Sequence, residues 1–484
     1  MKRTIAMLLV LSTLLCLFVA CKEEPVITNT GDTETIAPRD EEELSDNLPD
    51  KNMELFEFRI LTNHPERLTW AETILVPDDY TGEDIYDAMF ERNEYLAERF
   101  NCEFTVTQGS PTALNSDAQI QNLAMSGDSA TAPHLIMHYD KWVLNSAQVF
   151  LDWNTVPYIS IGEDYWNPGI SNLYNIKGKQ IALSGSFSLG MLSNTTIYLF
   201  NKEMYEQYYG DLSSIYNCVT DGEWTIEKFY ETALGVVENP DAIWDKTDQF
   251  GVDATCKALY SSLIVGSDIH FVEMIDDNIP FFSLPSDSYA IEKLQKILQL
   301  CQDNDVHYNT STNVHNSDGN MAFTNGLALF HVKSFYHIPS IRASMEKEFG
   351  ILPTPKYNVE QENYRNISNG GEMACLMITV RDDEMENIGI LMEALSFDSH
   401  QNLMPVYKEK MLKTRFASDE DSRAMVQLIF DTTVGELGIN VFEDVISVPF
   451  IEKVYMPKKD VISSTLSGMS SVHTKVTDLV KNIK

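Results

Sequence analysis

Asn63 follows the alternating run Leu55-Phe-Glu-Phe-Arg-Ile-Leu61, and Tyr139, Asp140 and Trp142 follow the apolar run His134-Leu-Ile-Met137. Tyr260 lies beyond Gly251-Val252, Tyr336 follows the run that ends near Phe330, and Glu372 stands after two glycines, just ahead of Ala374 to Val380. An amide offers a hydroxyl both a donor and an acceptor, a carboxylate offers acceptors, and aromatic faces cover CH patches. This set suits the capture of a sugar-like molecule. Each residue has a plainer role as well. Asp140 suits equally the N-cap of a following helix, Glu372 suits a loop charge, and the aromatic residues suit packing in a core. Trp224, beside Thr225, reads as a hydrophobic staple to a helix start.

Bond-making chemistry has no such support. The chain contains no GxSxG and no GxxxxGK[ST], and nothing ties an acid and a base to one site. No catalytic residue is assigned, and neither enzymatic activity nor a cofactor is expected. His134 and His138 stand four apart without the glutamate of HExxH. Asp303 and Asp305 lack the glycine and terminal glutamate of a calcium loop. No metal site is expected.

Ligand-binding residues that follow strands need a sheet to position them. Phe56, Phe58 and Ile60 alternate with Glu57 and Arg59, the period of a strand with one buried face. Thr81-Gly-Glu-Asp84 reads as a capping box ahead of a helix carrying Ile85, Met89, Leu96 and Phe100, and a strand over Cys102 to Thr107 follows. This β-α-β order predicts a largely parallel sheet. The alternation continues through Thr196 to Phe200, a helix capped by Thr225, and strands over Phe323 to His331 and Ala374 to Val380, before a helical tail. The fold class is α/β. In such sheets ligands gather beyond the carboxyl ends of the strands, where the candidate residues stand.

At the N-terminus, Lys2 and Arg3 precede an apolar stretch from Ile5 to Val19, too short to span a bilayer comfortably and typical of an export signal. Phe18-Val-Ala-Cys21 resembles a bacterial lipobox, with Cys21 as the lipidated first residue of the mature chain. The resemblance implies a signal peptide over 1–20 and a bacterial protein anchored by lipid to the outer face of the cell membrane. Two acyl chains are what stable anchoring needs. Residues 21–52, with the cluster Asp40-Glu-Glu-Glu43, read as a flexible acidic tether.

The formal net charge is −37, which repels nucleic acid and disfavours a nucleic-acid partner. Besides Cys16 and Cys21 the chain has Cys102, Cys218, Cys256, Cys301 and Cys375, none in a CxxC pair and each with apolar residues nearby at core-like spacing. Buried free thiols are expected.

Three passages together resemble the extracellular solute-binding lipoproteins of ABC importers, family 1, the carbohydrate-type binders. The first is Gly178-Lys-Gln-Ile-Ala-Leu-Ser184 with Thr196-Ile-Tyr-Leu-Phe-Asn-Lys-Glu-Met-Tyr205. The second is Asp221-Gly-Glu-Trp-Thr-Ile-Glu-Lys-Phe229. The third is Met321-Ala-Phe-Thr-Asn-Gly-Leu-Ala-Leu-Phe330 with Phe349-Gly-Ile-Leu-Pro-Thr-Pro-Lys356. Where that family often has Gly-Pro-Trp after the late strand, this chain has His331-Val-Lys-Ser-Phe-Tyr336.

The resemblance implies a two-lobe, periplasmic-binding-protein-like fold of type II with an interlobe cleft. It implies an N-terminal lobe over 53–186 with 326–378 and a C-terminal lobe over 190–320 with 384–484. Crossings would fall near Ser184 to Gly190, Met321 to Gly326 and Ile378 to Asp383. Ser186, at the first crossing, joins the ligand-binding candidates on this ground. The implied partners are a small solute, in all expectation a carbohydrate, and ABC permease subunits, with the chain itself a monomer. A lipoprotein sensor or adhesin with the same fold is the alternative class, and a secreted hydrolase a remote third.

Overall fold

The computed structural model describes residues 46–66, 79–245, 247–301, 305–309, 322–413, 420–446, 469–481 and 483. The expected export signal, Cys21 and most of the expected acidic tether lie outside them. The end of the tether is described, and there the expectation is corrected. Asp46 pairs with Arg99 at 2.5 Å, and Lys51 pairs with Glu386 at 2.7 Å. Leu48 packs against the first core, so the packed body includes Asp46 to Asn52 ahead of Met53.

Nine strands form two sheets: β1 Phe56–Thr62, β2 Cys102–Gln108, β3 Leu135–Tyr139, β4 Thr196–Asn201, β5 Phe250–Ala254, β6 His307–Asn309, β7 Ala328–Ser334, β8 Phe349–Leu352 and β9 Glu372–Leu376. The first sheet has the order β9-β3-β1-β2, and the second β6-β5-β7-β4-β8. In the first, β1 runs parallel to β2 and β3, while β9 returns antiparallel to β3. In the second, β5 is parallel to β6 and β7, and β4 is antiparallel to β7 and β8.

The alternation read in β1 holds: Phe58 and Ile60 are buried and Glu57 is exposed. Helix α1, Asp84–Phe100, buries Ile85, Met89, Leu96 and Phe100 as expected. Its cap differs in detail. Asp87, not Asp84, reaches back to accept from the Thr81 N–H (2.7 Å) and hydroxyl (3.0 Å), because Glu83 rather than Thr81 takes the cap position and the helix begins two residues later than the box assumes. Helix α2, Asp117–Ser126, follows β2. Thr225 caps α3, Ile226–Leu234, through Lys228 N–H at 3.3 Å, and Trp224 is fully buried with its indole N–H on Pro353 O at 2.9 Å. Strand β7 starts at Ala328, later than expected at Phe323, because Gly326 turns the chain with φ +73°.

Further helices are α4 Cys256–Gly266, α5 Met385–Asp398, α6 Met404–Lys413, α7 Glu420–Asp431 and α8 Met469–Lys481. One core joins Phe58, Leu135 and Leu376 to Ile388, Leu391 and Leu395 of α5. A second joins Ile197, Phe250 and Ile351 to Leu403, Tyr407 and Ile429. A third continues from Ile136 and Val143 through Met191 to Tyr198 and Phe200, so apolar packing passes unbroken from one sheet to the other. Cys102, Cys218, Cys256, Cys301 and Cys375 are all free and buried. Burial pushes the thiols of Cys102 and Cys256 up to about 12, which keeps them unreactive.

The sheets divide the chain differently from the expected lobe boundaries. Strands β7 and β8 belong to the second sheet because β4 pairs with both, so 326–378 returns to the first sheet only at Glu372. Helix α5 packs under the first sheet, so the last passage to the second lobe falls between Asp398 and Met404, not at Ile378 to Asp383.

Candidate functional site

Where the two sheets face each other follows from a short run of residues. Glu372 opens β9 opposite Tyr139, the last residue of β3. Four positions earlier, Ser368 bridges Thr195, and the next residue, Thr196, opens β4 opposite Ser334, the last residue of β7. One crossing segment therefore joins the carboxyl ends of the parallel strands in both sheets. Leu183 pairs with Ala374 beside it and makes a second crossing over 184–195. The passage from α5 to α6 is the third. Three crossings are a hinge, and the loops that leave the strand ends meet beside it.

At that meeting point lies a buried polar group. Glu372 Oε1 accepts from Asn63 N–H at 3.0 Å and from Asn63 Nδ2 at 2.7 Å. Asn63 Nδ2 also donates to Met137 O at 3.3 Å, while its Oδ1 accepts from Asn115 N–H at 2.7 Å. Both halves of the Asn63 amide are thus engaged by the protein's own backbone and by Glu372. Burial pushes the Glu372 carboxyl up to about 8, and its Oε2 has no partner among the described residues. A protonated, neutral Glu372 at neutral pH fits that environment.

Asp140 is the first residue of a 3-10 helix, Asp140–Val149, with Tyr139 in the cap position, so its carboxylate caps nothing. It turns instead to Asn440, whose Nδ2 donates to Oδ2 at 3.2 Å, while its backbone N–H reaches Gly371 O at 3.0 Å. Burial raises it to about 6 against the opposing pull of Lys141 and Asn440. Oδ1 has no partner among the described residues, and a Cβ on Gly370, which holds φ +118°, would stand 2.8 Å from it.

Next to Asp140 the two lobes are tied by charge. Glu443 Oε1 stands 2.5 Å from Lys141 Nζ and 2.5 Å from Lys257 Nζ. Lys141 follows β3 of the first sheet, and Lys257 lies in α4, which follows β5 of the second. Burial alone would raise the Glu443 carboxyl, but the two ammonium groups outweigh it and hold it below the usual range. A cavity of about 430 Å³ opens beside Lys141, walled by Leu144, Phe442 and Leu479 with Lys475 and Asp478.

Of the sequence-predicted residues, the structure brings Asn63, Tyr139, Asp140 and Glu372 together. Trp142 stands edge-on to Tyr139 at 5.4 Å, and both rings are half-buried. Tyr336 lies beyond β7 of the other sheet, against His337 at 3.8 Å between ring centroids. Tyr260 sits in α4, packed inside a core with its hydroxyl unpartnered among the described residues. Ser186 is elsewhere: its hydroxyl meets His400 Nδ1 at 3.2 Å on the wall of a separate cavity. Sequence reasoning missed Lys141, Lys257, Asn440 and Glu443. A lysine following a strand was visible, but nothing in the spacing marks its carboxylate.

His134 and His138 have separate carboxylate neighbours, Glu384 at 3.5 Å and Asp117 at 3.2 Å. Among the described residues no cluster of three or more His, Cys, Asp or Glu side chains could hold a metal ion. Among the same residues no helix is long and apolar enough to cross a membrane.

No protein-family model matches the sequence, and no curated protein matches it. Solved structures do. The chain is similar to the cyclic alpha-maltosyl-1,6-maltose binding protein from Arthrobacter globiformis, with 15% identity, TM-score 0.55, and coverage of 88% of this chain and 100% of that one. It is similar to the extracellular solute-binding protein from Staphylococcus aureus in complex with maltose, with 11% identity, TM-score 0.55, and coverage of 90% and 99%. It is also similar to M. tuberculosis UspC, with 11% identity, TM-score 0.54, and coverage of 87% and 100%. The fold is therefore the two-lobe, type II fold of solute-binding proteins, over nearly the whole length of these neighbours.

Proposed function

We propose that this chain is the extracellular solute-binding subunit of an ABC importer, which closes its two lobes around a sugar or oligosaccharide and presents it to a permease. The observation that carries this reading is the hinge. Three crossings join two sheets whose carboxyl ends face one another, and Lys141, Glu443 and Lys257 link the loops on either side. A machine of this form stores the bound state in the lobe angle, which a permease can read. Two of the similar structures are named for maltose or a cyclic maltosyl sugar, which supports carbohydrate as the solute class. Tyr139 with Trp142 from one lobe and Tyr336 from the other supply aromatic surface suited to sugar CH faces.

In this reading Cys21 carries the lipid anchor and the acidic tether holds the lobes off the membrane, while the chain works as a monomer and catalyses nothing. The test is a thermal-shift and calorimetric panel of maltose, maltotriose, cyclic oligosaccharides, amino acids and short peptides. A ligand that binds only the folded state stabilises it by about 2.7 kcal/mol at a hundredfold excess over Kd. A shift with one sugar series is expected. Shifts confined to amino acids or peptides would overturn the carbohydrate reading, and none at all would overturn solute capture.

A further inference from the structure

A second cavity, of about 580 Å³, lies at the hinge and shares no lining residue with the Asn63, Asp140 and Glu372 group. One wall is the stretch around Asn167 and Gly169, next to Trp166 of the first core. The opposite wall is Met404 and Phe430 of the second core. Two crossings complete the enclosure, with Ser186 contributed by one and His400 by the other. We propose that this hinge cavity is a second binding site, for a small, neutral, polyhydroxylated solute.

Three features argue for that class. Asn167, Ser186, Gln401 and Thr433 line it with uncharged groups. Asn167 Nδ2 already donates to Ser184 Oγ and Thr433 Oγ1 to Ile429 O, which leaves their oxygens to accept from solute hydroxyls, while Gln401 offers both a donor and an acceptor. His400 joins them uncharged, since burial first and Lys408 second lower its pKa. Two carboxylates (Asp164, Asp431) against one ammonium (Lys408) on the walls disfavour an anion, and glucosamine as a probe separates a neutral solute from a cationic one. Ile170 and Phe430 give apolar surface for CH groups, and the volume falls in the range of small-molecule sites.

Ser186 and His400, joined at 3.2 Å, hold the polar edge in place across the hinge. A solute touching both lobes is coupled to the angle between them. By linkage, its occupancy and the occupancy of any ligand held beyond the strand ends change each other's affinity.

Gly169 provides the test. A Cβ there meets nothing within 4 Å, so Gly169→Trp can place an indole at the cavity without a backbone clash. Saturation-transfer NMR and calorimetry on the full chain would use glucose and maltose as neutral probes and glucosamine as a charged one. Two sites are expected in the native protein, with one lost in Gly169→Trp and the other weakened in Trp142→Ala. If Gly169→Trp does not fold, Ser186→Ala combined with His400→Gln should weaken the hinge site at least tenfold. Binding that disappears entirely with Trp142→Ala and is untouched by the hinge variants would overturn the hinge site while leaving the cleft reading intact. Binding lost only in the hinge variants would do the reverse. Preference for glucosamine over glucose would overturn the neutral class, and no saturation transfer from any probe would overturn the site itself.

Discussion

Lys257 Nζ meets Glu443 at Oε1, 2.5 Å away, on the same oxygen that Lys141 takes from the other lobe. One carboxylate oxygen thus ties a helix that follows the second sheet to the 3-10 helix that follows β3 of the first. The two contacts are unequal. Lys141 and Glu443 are 6% and 8% exposed at the side chain, and Lys257 is 47% exposed.

That inequality sets the first prediction. Glu443→Gln leaves the buried Lys141 ammonium without its carboxylate and should destabilise the protein by about 3 kcal/mol or more. Lys257→Met removes an exposed partner and should cost less than about 1 kcal/mol. Urea unfolding of the two variants measures both. Equal losses would contradict the asymmetry.

The buried carboxyls predict a dependence on pH. Asp140, Glu436 and Glu372 are raised by burial to about 6, 7 and 8. An acid raised on folding gives stability that is whole below its unfolded value and is lost as pH climbs to its folded value. Between pH 7 and 8 both Glu436 and Glu372 release protons in the folded state, and Glu372, the more protonated of the two, accounts for the larger part of the fall in stability, about 1 kcal/mol. Glu372→Gln should flatten the fall. A native-like slope in that variant would assign the lost proton elsewhere.

At the hinge, Gly370 combines φ +118° with a Cβ position 2.8 Å from Asp140 Oδ1. Gly370→Ala should therefore cost roughly 1–3 kcal/mol, through backbone strain and a displaced carboxylate. A thermal melt indistinguishable from the native one would show that the crossing can shift to accept a methyl group.

Trp142 tests the cleft. Its ring is half-buried and edge-on to Tyr139, and in the proposed function it packs against the sugar. Trp142→Ala should weaken maltose-type binding at least tenfold, about 1.4 kcal/mol, measured by calorimetry. An unchanged Kd would move the binding surface away from the end of β3.

Cys21→Ala should shift the protein from the membrane fraction to the soluble one while its sugar affinity stays as it was. Retention at the membrane would remove Cys21 from the anchoring role.

Much of the architecture was legible because it rests on local rules. Period-two alternation placed β1, period-3.6 spacing placed the buried face of α1, and Thr225 announced its helix by the cap it makes. The region after β3 was legible as a candidate site because loops beyond strand ends are where ligands gather. Lobe membership was less so. Strand β7 reads identically whether it pairs in the first sheet or the second, and only its hydrogen bonds to β4 and β5 assign it. Asn63 shows the same limit at a single residue. Its type suits a ligand hydroxyl, but Glu372, 309 residues away, has taken its donors.

The sequence by itself determined the α/β class, the helix and strand content near each candidate, the buried free thiols and a strongly acidic composition. These follow from neighbours along the chain and from composition, and need no knowledge of what lies opposite. Tertiary structure alone decided that Asp140 turns to Asn440, that Glu443 serves two lysines, and that Ser186 faces a hinge cavity with His400. Each of those pairings joins residues far apart in the chain, and a side chain's type says what it can bind but not which partner folding delivers.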